Sequence, residues 1–432
     1  MSISETAAAA KSASILLAAV KSEVKNKALA GIAKALKSRS AEIIAANEQD
    51  LKAAEESSLA APLLKRLKFD EGKIETVCAG IESLIKLEDP VGETLRATEL
   101  DRGLELYKVS CPIGVIGVVF ESRPDALVQI STLCLKSGNA VLLKGGSEAA
   151  RTNRILADVI VGATENVGIP KNWLGLLETR ADVAEMLSLD EYIDLIVPRG
   201  SNEFVRHIMN NTNIAVLGHA DGICHVYIDG EADLDIAVNV AVDSKCQYVA
   251  VCNAAETMLV DEKIVGVFLP RVEAALNEKD VEIRGCEKTR QIIEAKAATD
   301  EDWSTEYLDN IISVKVVAGL DEAIEHINKY GSGHTDSIVT GNKTNAAKFM
   351  ELVDSGNVFW NCSTRFSDGF RYGLGAEVGI STNKIHARGP VGLEGLLIYK
   401  WKLVGGGQIV ADYSGSSAKK FTHKKLNKDF KL

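Results

Sequence analysis

The first hundred residues show two successive patterns of apolar and polar positions. From residue 5 to 90, Ala, Leu, Ile, Lys and Glu dominate, and apolar residues recur with helical spacing, as at Ile43 and Leu51. From Thr98 to Val109, apolar and polar residues alternate on both sides of Asp101-Arg102-Gly103, which predicts a hairpin with a turn at its tip. We therefore expect a helical region followed by an exposed hairpin that needs a partner.

Short apolar runs then alternate with amphipathic ones. The apolar runs lie at 113–120, 140–144, 193–197 and 214–217, and the amphipathic runs lie at 125–136, 148–161 and 202–210. This order is typical of βαβ units in a parallel, doubly wound sheet, whose ligand loops follow the carboxyl ends of the strands. A second stretch of the same kind extends from about 225 to 397, so the predicted fold class is α/β.

Composition and charge narrow the class of partner. The chain of 432 residues is 46% hydrophobic and 25% charged, and its net charge is −11. An acidic chain has no favourable field for nucleic acid or an anionic membrane, so we expect a small-molecule partner. The chain shows no signal-peptide pattern, no apolar run of membrane-spanning length and no C-x-x-C pair among its eight cysteines, which indicates a reduced, cytoplasmic protein. The spacing of its seven histidines predicts no metal site.

One glycine-rich segment lies between a predicted strand and a predicted helix. Gly145-Gly146-Ser147 follows the strand tip at Lys144, where backbone N–H groups and a helix N-terminus can hold a phosphate. The G-x-G-x-x-G and Walker patterns are absent, so a plain tight turn is the alternative. A base at the strand tip, where an acid usually meets an unphosphorylated ribose, favours NADP(H) over NAD(H).

Cys252 and Asn253 lie in an apolar stretch between a predicted helix and a predicted strand. Composition alone favours a buried core cysteine at such a position. The alternative is a chemical role, in which Asn253 would donate to an oxyanion.

A later loop combines two hydroxyls with a guanidinium. Ser363 and Thr364 precede Arg365, and this combination suits a carboxylate ligand, whereas a structural salt bridge is the alternative. The segment 331–336 indicates a helix C-cap and turn, with a role for His334 as the alternative.

Several segments together resemble the γ-glutamyl phosphate reductases, a family within the aldehyde dehydrogenase superfamily. They follow one another in family order and spacing: Phe120–Pro124, Leu135–Asn139, Pro198–Ser201, Gly222–Tyr227, Cys252–Ala254, Tyr330–Asp336, Ser363–Phe366 and His386–Gly395. The resemblance implies an aldehyde dehydrogenase-like fold with a Rossmann-type cofactor domain, an α/β catalytic domain and a small oligomerisation hairpin. The implied boundaries are 1–97 and 110–224 for the cofactor domain, 98–109 plus 400–432 for the hairpin and tail, and 225–399 for the catalytic domain.

The resemblance also implies residue roles. Cys252 matches the catalytic thiol of the superfamily, which reverses the interpretation from composition. Lys144 matches the lysine that contacts the adenosine ribose or its phosphate, and Gly146 and Ser147 stay cofactor-binding candidates from their place between a strand and a helix.

Two further matches concern the nicotinamide end of the cofactor. The resemblance places Gly200 and Ser201 near the nicotinamide and pyrophosphate, and Glu306 at the nicotinamide ribose.

The activity implied is the NADPH-dependent reduction of L-glutamyl 5-phosphate to L-glutamate 5-semialdehyde in proline biosynthesis. The implied partners are a second copy of the chain, as a homo-oligomer, and the glutamate 5-kinase that supplies the substrate. Arg365 with Ser363 and Thr364, or else Arg123, would hold the α-carboxylate or the leaving phosphate, and the sequence leaves this assignment open.

The chain departs from its relatives at several positions. Tyr248-Val249-Ala250 precedes Cys252 where many bacterial members have Arg-Pro-Gly, and Cys362 replaces an alanine. Ser122 stands where ordinary aldehyde dehydrogenases carry the Asn that donates to the oxyanion. Residues 219–222, His-Ala-Asp-Gly, replace the Glu-Leu-Gly-Gly of oxidative enzymes. An oxidative aldehyde dehydrogenase and a non-catalytic paralogue remain the alternative functions.

Overall fold

Two structural units divide the chain in the computed structural model, which describes residues 2–121, 123–219, 221–375 and 377–431. The first unit comprises Met1–Gly200, His207–Val216 and Val391–Leu432, and the second comprises Ser201–Arg206 and Leu217–Pro390. The helices are α1 (Ile3–Leu17), α2 (Ser22–Ser38), α3 (Ser40–Glu56), α4 (Ala61–Leu67), α5 (Glu71–Lys86), α6 (Pro124–Lys136), α7 (Ala150–Thr164), α8 (Arg180–Met186), α9 (Asn202–Asn210), α10 (Leu234–Cys246), α11 (Val265–Asn277), α12 (Glu287–Arg290), α13 (Leu320–Tyr330) and α14 (Lys343–Leu352). The strands are β1 (Thr94–Asp101), β2 (Leu104–Pro112), β3 (Val115–Phe120), β4 (Ala140–Lys144), β5 (Leu174–Leu177), β6 (Leu195–Arg199), β7 (Cys224–Ile228), β8 (Ala255–Asp261), β9 (Glu282–Gly285), β10 (Lys296–Ala297), β11 (Ile311–Val317), β12 (Thr335–Val339), β13 (Asn357–Trp360), β14 (Gly379–Ser381), β15 (Gly389–Val391), β16 (Leu397–Val404) and β17 (Lys424–Leu426).

The predicted helical region is confirmed as helices α1 to α5. Ser2 caps α1 in a capping box with Glu5, and the Asp70 side chain accepts the backbone N–H of Lys73 at the start of α5. The apolar face of α2 is buried and packs against α5 and α7. Tertiary packing of these faces, more than local propensity, therefore stabilises the region.

A parallel sheet in the first unit has the strand order β5-β4-β3-β6. The chain runs outward from β3 to β5 and then returns to the other side of β3, so the connections reverse direction between β3 and β6. The register pairs Val119 with Lys144 and Phe120 with Arg199, which places the carboxyl ends of β3, β4 and β6 at one edge. The prediction of a parallel sheet is thus confirmed. Ligands typically bind at such a reversal, and ligand binding by these loops stays a prediction.

The predicted hairpin is longer than its sequence pattern indicated. Strands β1 and β2 turn at Arg102-Gly103, where Gly103 has a φ of +71° that favours glycine. Strand β16 pairs with β2, and β17 pairs with β1, so the tail completes a four-stranded antiparallel sheet around the hairpin. Tyr399, Trp401 and Leu403 on the edge strand β16 are exposed.

The second unit contains a parallel sheet with the order β10-β9-β11-β8-β7-β12-β13 among the described residues. Val226, Met258 and Val314 belong to the buried cluster that covers one face of this sheet. Strand β7 lies between β8 and β12, and all three run in the same direction. The segments that lead into these three strands therefore meet at the amino-terminal edge of the sheet.

Two expectations about strands were wrong. The run 214–217 forms no strand, because only Val216 makes an isolated bridge, to Ile196. Strand β5 was not predicted, since it has four residues and contains Gly175. Among the described residues, we found no helix long and apolar enough to cross a membrane.

Candidate active site

Lys144 and the loop after it end strand β4 at the edge of the parallel sheet in the first unit. Lys144 is buried, and the chain turns through Gly145 and Gly146 into a 3-10 helix that begins at Ser147. A Cβ atom at Gly145 would overlap the side-chain amide of Asn153, and one at Gly146 would overlap the carboxylate of Glu148. Gly145 therefore has no room for a side chain beside the buried Asn153, whereas a side chain at Gly146 would require the flexible Glu148 side chain to move.

Two more predicted residues lie at the same edge. Arg123 directly precedes α6 and is half-exposed, and its Nη2 lies 3.3 Å from Asp125 Oδ2. Gly200 directly follows β6 and is exposed. The structure thus brings Arg123, Lys144 and Gly200 to one end of one sheet.

Cys252 lies in the turn between α10 and β8 in the second unit. The residue is partly exposed. Desolvation of the thiol raises the pKa of Cys252 to about 12, and the negative charges of Glu306 and Glu377 act in the same direction. The positive charge of Arg365 acts to lower this pKa. A neutral thiol is therefore the resting form, and a base is needed to produce the thiolate that attacks.

Gly222, in the segment that leads into β7, packs closely against the backbone of Cys252. A Cβ atom at Gly222 would overlap the Cα, the carbonyl carbon and the carbonyl oxygen of Cys252, so no other residue fits there. The backbone N–H of Gly222 donates to Glu306 Oε1 at 3.0 Å, and Asn202 Nδ2 donates to Glu306 Oε2 at 2.6 Å. The predicted Glu306 is thus oriented by two donors and lies near the predicted nucleophile.

Asn253 connects Cys252 to the predicted substrate loop. Its Nδ2 donates to the carbonyl oxygen of Ser367 at 2.7 Å, and its own carbonyl oxygen accepts the hydroxyl of Thr364 at 2.7 Å. Asn253 and Thr364 are both buried. The hydroxyl of Thr364 therefore positions the loop against the turn that carries Cys252.

Arg365 is the charged group of that loop. The side chain of Ser363 accepts the backbone N–H of Arg365 at 3.2 Å, and Arg365 Nε donates to Gln247 Oε1 at 3.0 Å. Burial lowers the pKa of Arg365, and the nearby Arg371 lowers it further. A buried guanidinium that is destabilised in this way favours an anionic ligand.

Two imidazoles lie next to Cys252, and the sequence analysis offered a role for one of them, His334, only as an alternative. Ring nitrogens of His219 and His334 and the sulfur of Cys252 all lie within 4.8 Å of one another. His219 Nδ1 lies 3.0 Å from the carbonyl oxygen of Ile380, so this nitrogen carries the proton and Nε2 keeps its lone pair. Burial and the neighbouring His219 hold the pKa of His334 well below its usual range, which keeps that ring neutral.

A buried ion pair supports the segment that carries Glu306. Lys245 Nζ lies 2.5 Å from Glu256 Oε2, and both side chains are fully buried. Burial raises the pKa of Glu256, and its carboxylate also accepts the backbone N–H of Leu308 at 3.4 Å. Leu308 has a φ of +53°, which is rare for a residue with a branched side chain. The ion pair thus fixes the backbone two residues after Glu306.

Two predicted features lie outside the described residues. These are Ser122, proposed in place of an oxyanion donor, and Ala220 in the segment that replaces Glu-Leu-Gly-Gly. Ser201 is described and exposed at the start of α9, where its carbonyl oxygen accepts the backbone N–H of Val205 at 3.0 Å.

Known proteins resemble the chain over most of its length. The family model described as "Aldehyde dehydrogenase family" matches residues 1–300 and 292–375. The γ-glutamyl phosphate reductase of Acetivibrio thermocellus is 68% identical over 432 residues, with 100% of both chains covered. That of Pelotomaculum thermopropionicum is 66% identical and covers 100% of this chain and 99% of its own.

Solved structures give the same result. The crystal structure of γ-glutamyl phosphate reductase from Thermotoga maritima superposes with a TM-score of 0.93 at 42% identity, covering 95% of this chain and 100% of that one. An acetylating aldehyde dehydrogenase from Geobacillus thermoglucosidasius shares the fold with a TM-score of 0.64 at 17% identity, covering 94% of this chain and 97% of its own. The chain therefore belongs to the aldehyde dehydrogenase family, within its γ-glutamyl phosphate reductase branch, and is an oxidoreductase.

Proposed function

We propose that the chain catalyses the NADPH-dependent reduction of L-glutamyl 5-phosphate to L-glutamate 5-semialdehyde and phosphate, a step of proline biosynthesis, through a thioester on Cys252. The names of full-length relatives support the substrate. The observation that carries the chemistry is the cluster of Cys252 with two imidazoles, Arg365 and the oriented carboxylate of Glu306.

The thiol of Cys252 needs a proton acceptor before it can attack. We assign this role to Nε2 of His219, because the Nδ1 of this ring is held by the carbonyl oxygen of Ile380. The thiolate then attacks the acyl carbon, and the C–O bond to phosphate breaks to leave the thioester. Because His334 is fully buried and neutral, it stays a spectator of this proton transfer.

The residues proposed for the cofactor fit an anionic dinucleotide. Lys144 supplies a positive charge, and Gly146 and Ser147, which are not buried, would supply backbone N–H groups at the end of β4. Gly200, Ser201 and Glu306 complete the proposed set at the nicotinamide end. NADPH, when bound, supplies the hydride that converts the thioester to the aldehyde level. Expulsion of the Cys252 sulfur then gives the semialdehyde.

The oxyanion that forms at both tetrahedral stages requires hydrogen-bond donors. We assign backbone N–H groups beside Cys252 to this role, together with the side-chain amide of Asn253. One N–H of that amide already donates to Ser367, so its second N–H is the one available to the oxyanion.

Arg365 is the preferred ligand for the substrate α-carboxylate or phosphate, with Arg123 as the alternative. Arg365 lies close enough to Cys252 to lower the pKa of its thiol, and it follows the buried Ser363 and Thr364. Since the hydroxyl of Thr364 donates to Asn253, the role of Thr364 is to position the guanidinium. Arg123 is engaged by Asp125.

We further propose a cytoplasmic homo-oligomer that receives its substrate from a glutamate 5-kinase. The exposed apolar residues of the edge strand β16 support a contact between copies. The division into a cofactor domain, a catalytic domain and an oligomerisation hairpin stays a prediction.

One experiment tests the proposed reaction in reverse. Glutamate 5-semialdehyde and NADP⁺ are mixed with the protein, with and without phosphate, and NADPH formation is followed by absorbance. We expect steady turnover only with phosphate, or with arsenate in its place, and at most a single-turnover burst without either. Sustained turnover without phosphate would show an oxidative aldehyde dehydrogenase. No turnover under any condition would favour a non-catalytic paralogue.

A further inference from the structure

We infer that Cys252, His219 and His334 form a binding site for Zn²⁺ or a similar divalent cation of borderline softness. Occupation of this site blocks the thiol and inhibits the enzyme reversibly. The inhibition rests on the proposed role of Cys252 as the nucleophile, whereas binding of the cation does not.

The donor set is the one that Zn²⁺ prefers. Thiolate sulfur and imidazole nitrogen are its most common protein ligands, and three of them leave a fourth position for water. The ligand atoms of Cys252, His219 and His334 lie within 4.8 Å of one another. In a tetrahedral zinc site such atoms are about 3.5 Å apart, so shifts of about 1 Å complete the site.

The local structure permits this contraction. Cys252 is in a turn, and His219 lies in a partly exposed segment before β7. The rings of His219 and His334 already meet edge to face, with centroids 5.0 Å apart. Small rotations of the thiol and of one ring are therefore sufficient.

A buried nitrogen without a partner is the second, independent observation. His334 is fully buried, and its Nε2 has no hydrogen-bond partner among the described residues. Its Nδ1 lies 2.8 Å from the hydroxyl of Thr335. A buried polar atom in this state is costly unless a ligand or a water occupies the space beside it. Coordination of a cation by the ring satisfies it.

The charges around the thiol favour a cation on balance. Glu306 and Glu377 both act on Cys252 through their negative charges, whereas Arg365 opposes them. Coordination replaces the S–H proton of Cys252, which passes to the buffer, and no electron is transferred. The sulfur lone pair is then held by the metal, so the thiol cannot attack an acyl carbon until a chelator removes the ion.

The test uses the full-length protein, stripped with EDTA and kept reduced with a phosphine. Co²⁺ serves as the spectroscopic probe, because thiolate coordination gives an intense charge-transfer band, and Zn²⁺ should displace it. We expect such a band with the unmodified protein and its loss in Cys252→Ser. His219→Gln should keep the thiol but weaken the apparent affinity for Zn²⁺ by at least about 10-fold. Zn²⁺ should also lower turnover, and EDTA should restore it.

Cys286→Ser is the matched control. Burial acts to raise the pKa of Cys286, but hydrogen bonds from Thr289 and the backbone outweigh this effect, so the pKa is lowered. The thiol of Cys286 is therefore the strongest competitor of Cys252 for a soft cation. The control should keep both the band and the affinity for Zn²⁺. A band that survives Cys252→Ser, or an affinity unchanged in His219→Gln, would overturn the metal site.

Failure of the two proposals can be told apart. An active reductase that shows no Cys252-dependent band would refute the metal site alone. A band with the expected response to all three variants, in a protein that cannot reduce glutamyl phosphate, would support the metal site and refute the proposed function.

Discussion

Replacing Gly222 with alanine should displace Cys252, the proposed nucleophile, while leaving its thiol group in place. The added Cβ would overlap three backbone atoms of Cys252, and non-bonded carbon atoms normally approach no closer than about 3.5 Å. Relief requires the two backbone segments to separate by about 1 Å. The same shift would weaken the hydrogen bond from the Gly222 N–H to Glu306, which is 3.0 Å long.

The expected magnitude follows from this displacement. A misplacement of about 1 Å at a reacting group can lower turnover by about 10²-fold, and overpacking of this kind typically destabilises a protein by about 1–3 kcal/mol. We therefore expect Gly222→Ala to lower kcat by about 10²-fold, and to lower Tm moderately while leaving the protein folded. The assay is steady-state reduction with NADPH, accompanied by thermal unfolding.

Gly266→Ala provides the control in the same structural unit. Gly266 lies in the first turn of α11, and an added Cβ there would meet nothing within 4 Å. This variant should keep full activity and the same or a slightly higher Tm, since alanine is the better helix former. If Gly222→Ala retained turnover within about twofold of the unmodified protein, the close packing of Gly222 on Cys252 would have no part in positioning the thiol.

The remaining predictions concern the thiol, the cofactor and the subunit contact. Cys252→Ser should lower turnover by at least about 10³-fold in the same assay, and near-normal activity would move the role to another residue, with Cys246 the next candidate. Because the pKa of Cys252 is raised to about 12, alkylation of the free enzyme by iodoacetamide should accelerate about tenfold per pH unit from 8 to 10, and a plateau near pH 9 would contradict the burial of the thiol. Lys144→Glu should raise KM for NADPH far more than KM for NADH, and equal losses would refute the assignment to the 2′-phosphate. Trp401→Arg should dissociate the oligomer in sedimentation, and an unmodified protein that is an active monomer at micromolar concentration would refute the contact.

Much of the fold could be predicted from periodicity. The run 125–136 became α6 at Pro124–Lys136, and the run 140–144 became β4 with the same bounds. Errors occurred where the pattern is short. Strand β5 has four residues with a glycine inside it, and the apolar run 214–217 lies beside β6 with a single bridge. In both places tertiary pairing decides the structure, and a local pattern carries little information about it.

The candidate site was less accessible to sequence reasoning. Composition favours a core cysteine at Cys252, and the resemblance to a family is what predicts a nucleophile there. In parallel sheets, ligands usually bind at the carboxyl ends of the strands, and Lys144 and Gly200 lie at such ends. Cys252 and His334 instead lie before β8 and β12, at the amino ends of the two strands that flank β7.

The pairing of His219 with His334 had no signal in the spacing of the histidines. The two residues are more than a hundred positions apart, and the adjacency of β7 and β12 alone brings them together. A prediction of strand order would have been needed to find the pair, because neither histidine alone indicates that the other lies beside it.

The segment before β7 also bears on the choice between a reductase and a hydrolytic dehydrogenase. Oxidative relatives carry a glutamate in this segment that activates water, and here Asp221 is the nearest carboxylate in the sequence. Asn202 donates to Asp221 Oδ1 at 2.9 Å, and Arg206 forms an ion pair with Oδ2, so both carboxylate oxygens are engaged. A carboxylate whose two oxygens already accept hydrogen bonds from fixed donors is poorly placed to take a proton from water. His219 is then the one basic group that the described part of this segment presents near Cys252, and it is the group already assigned to the thiol proton. In the proposed mechanism this imidazole is protonated once the thioester forms, so we expect that it does not activate water and that the intermediate persists until hydride or phosphate reaches it.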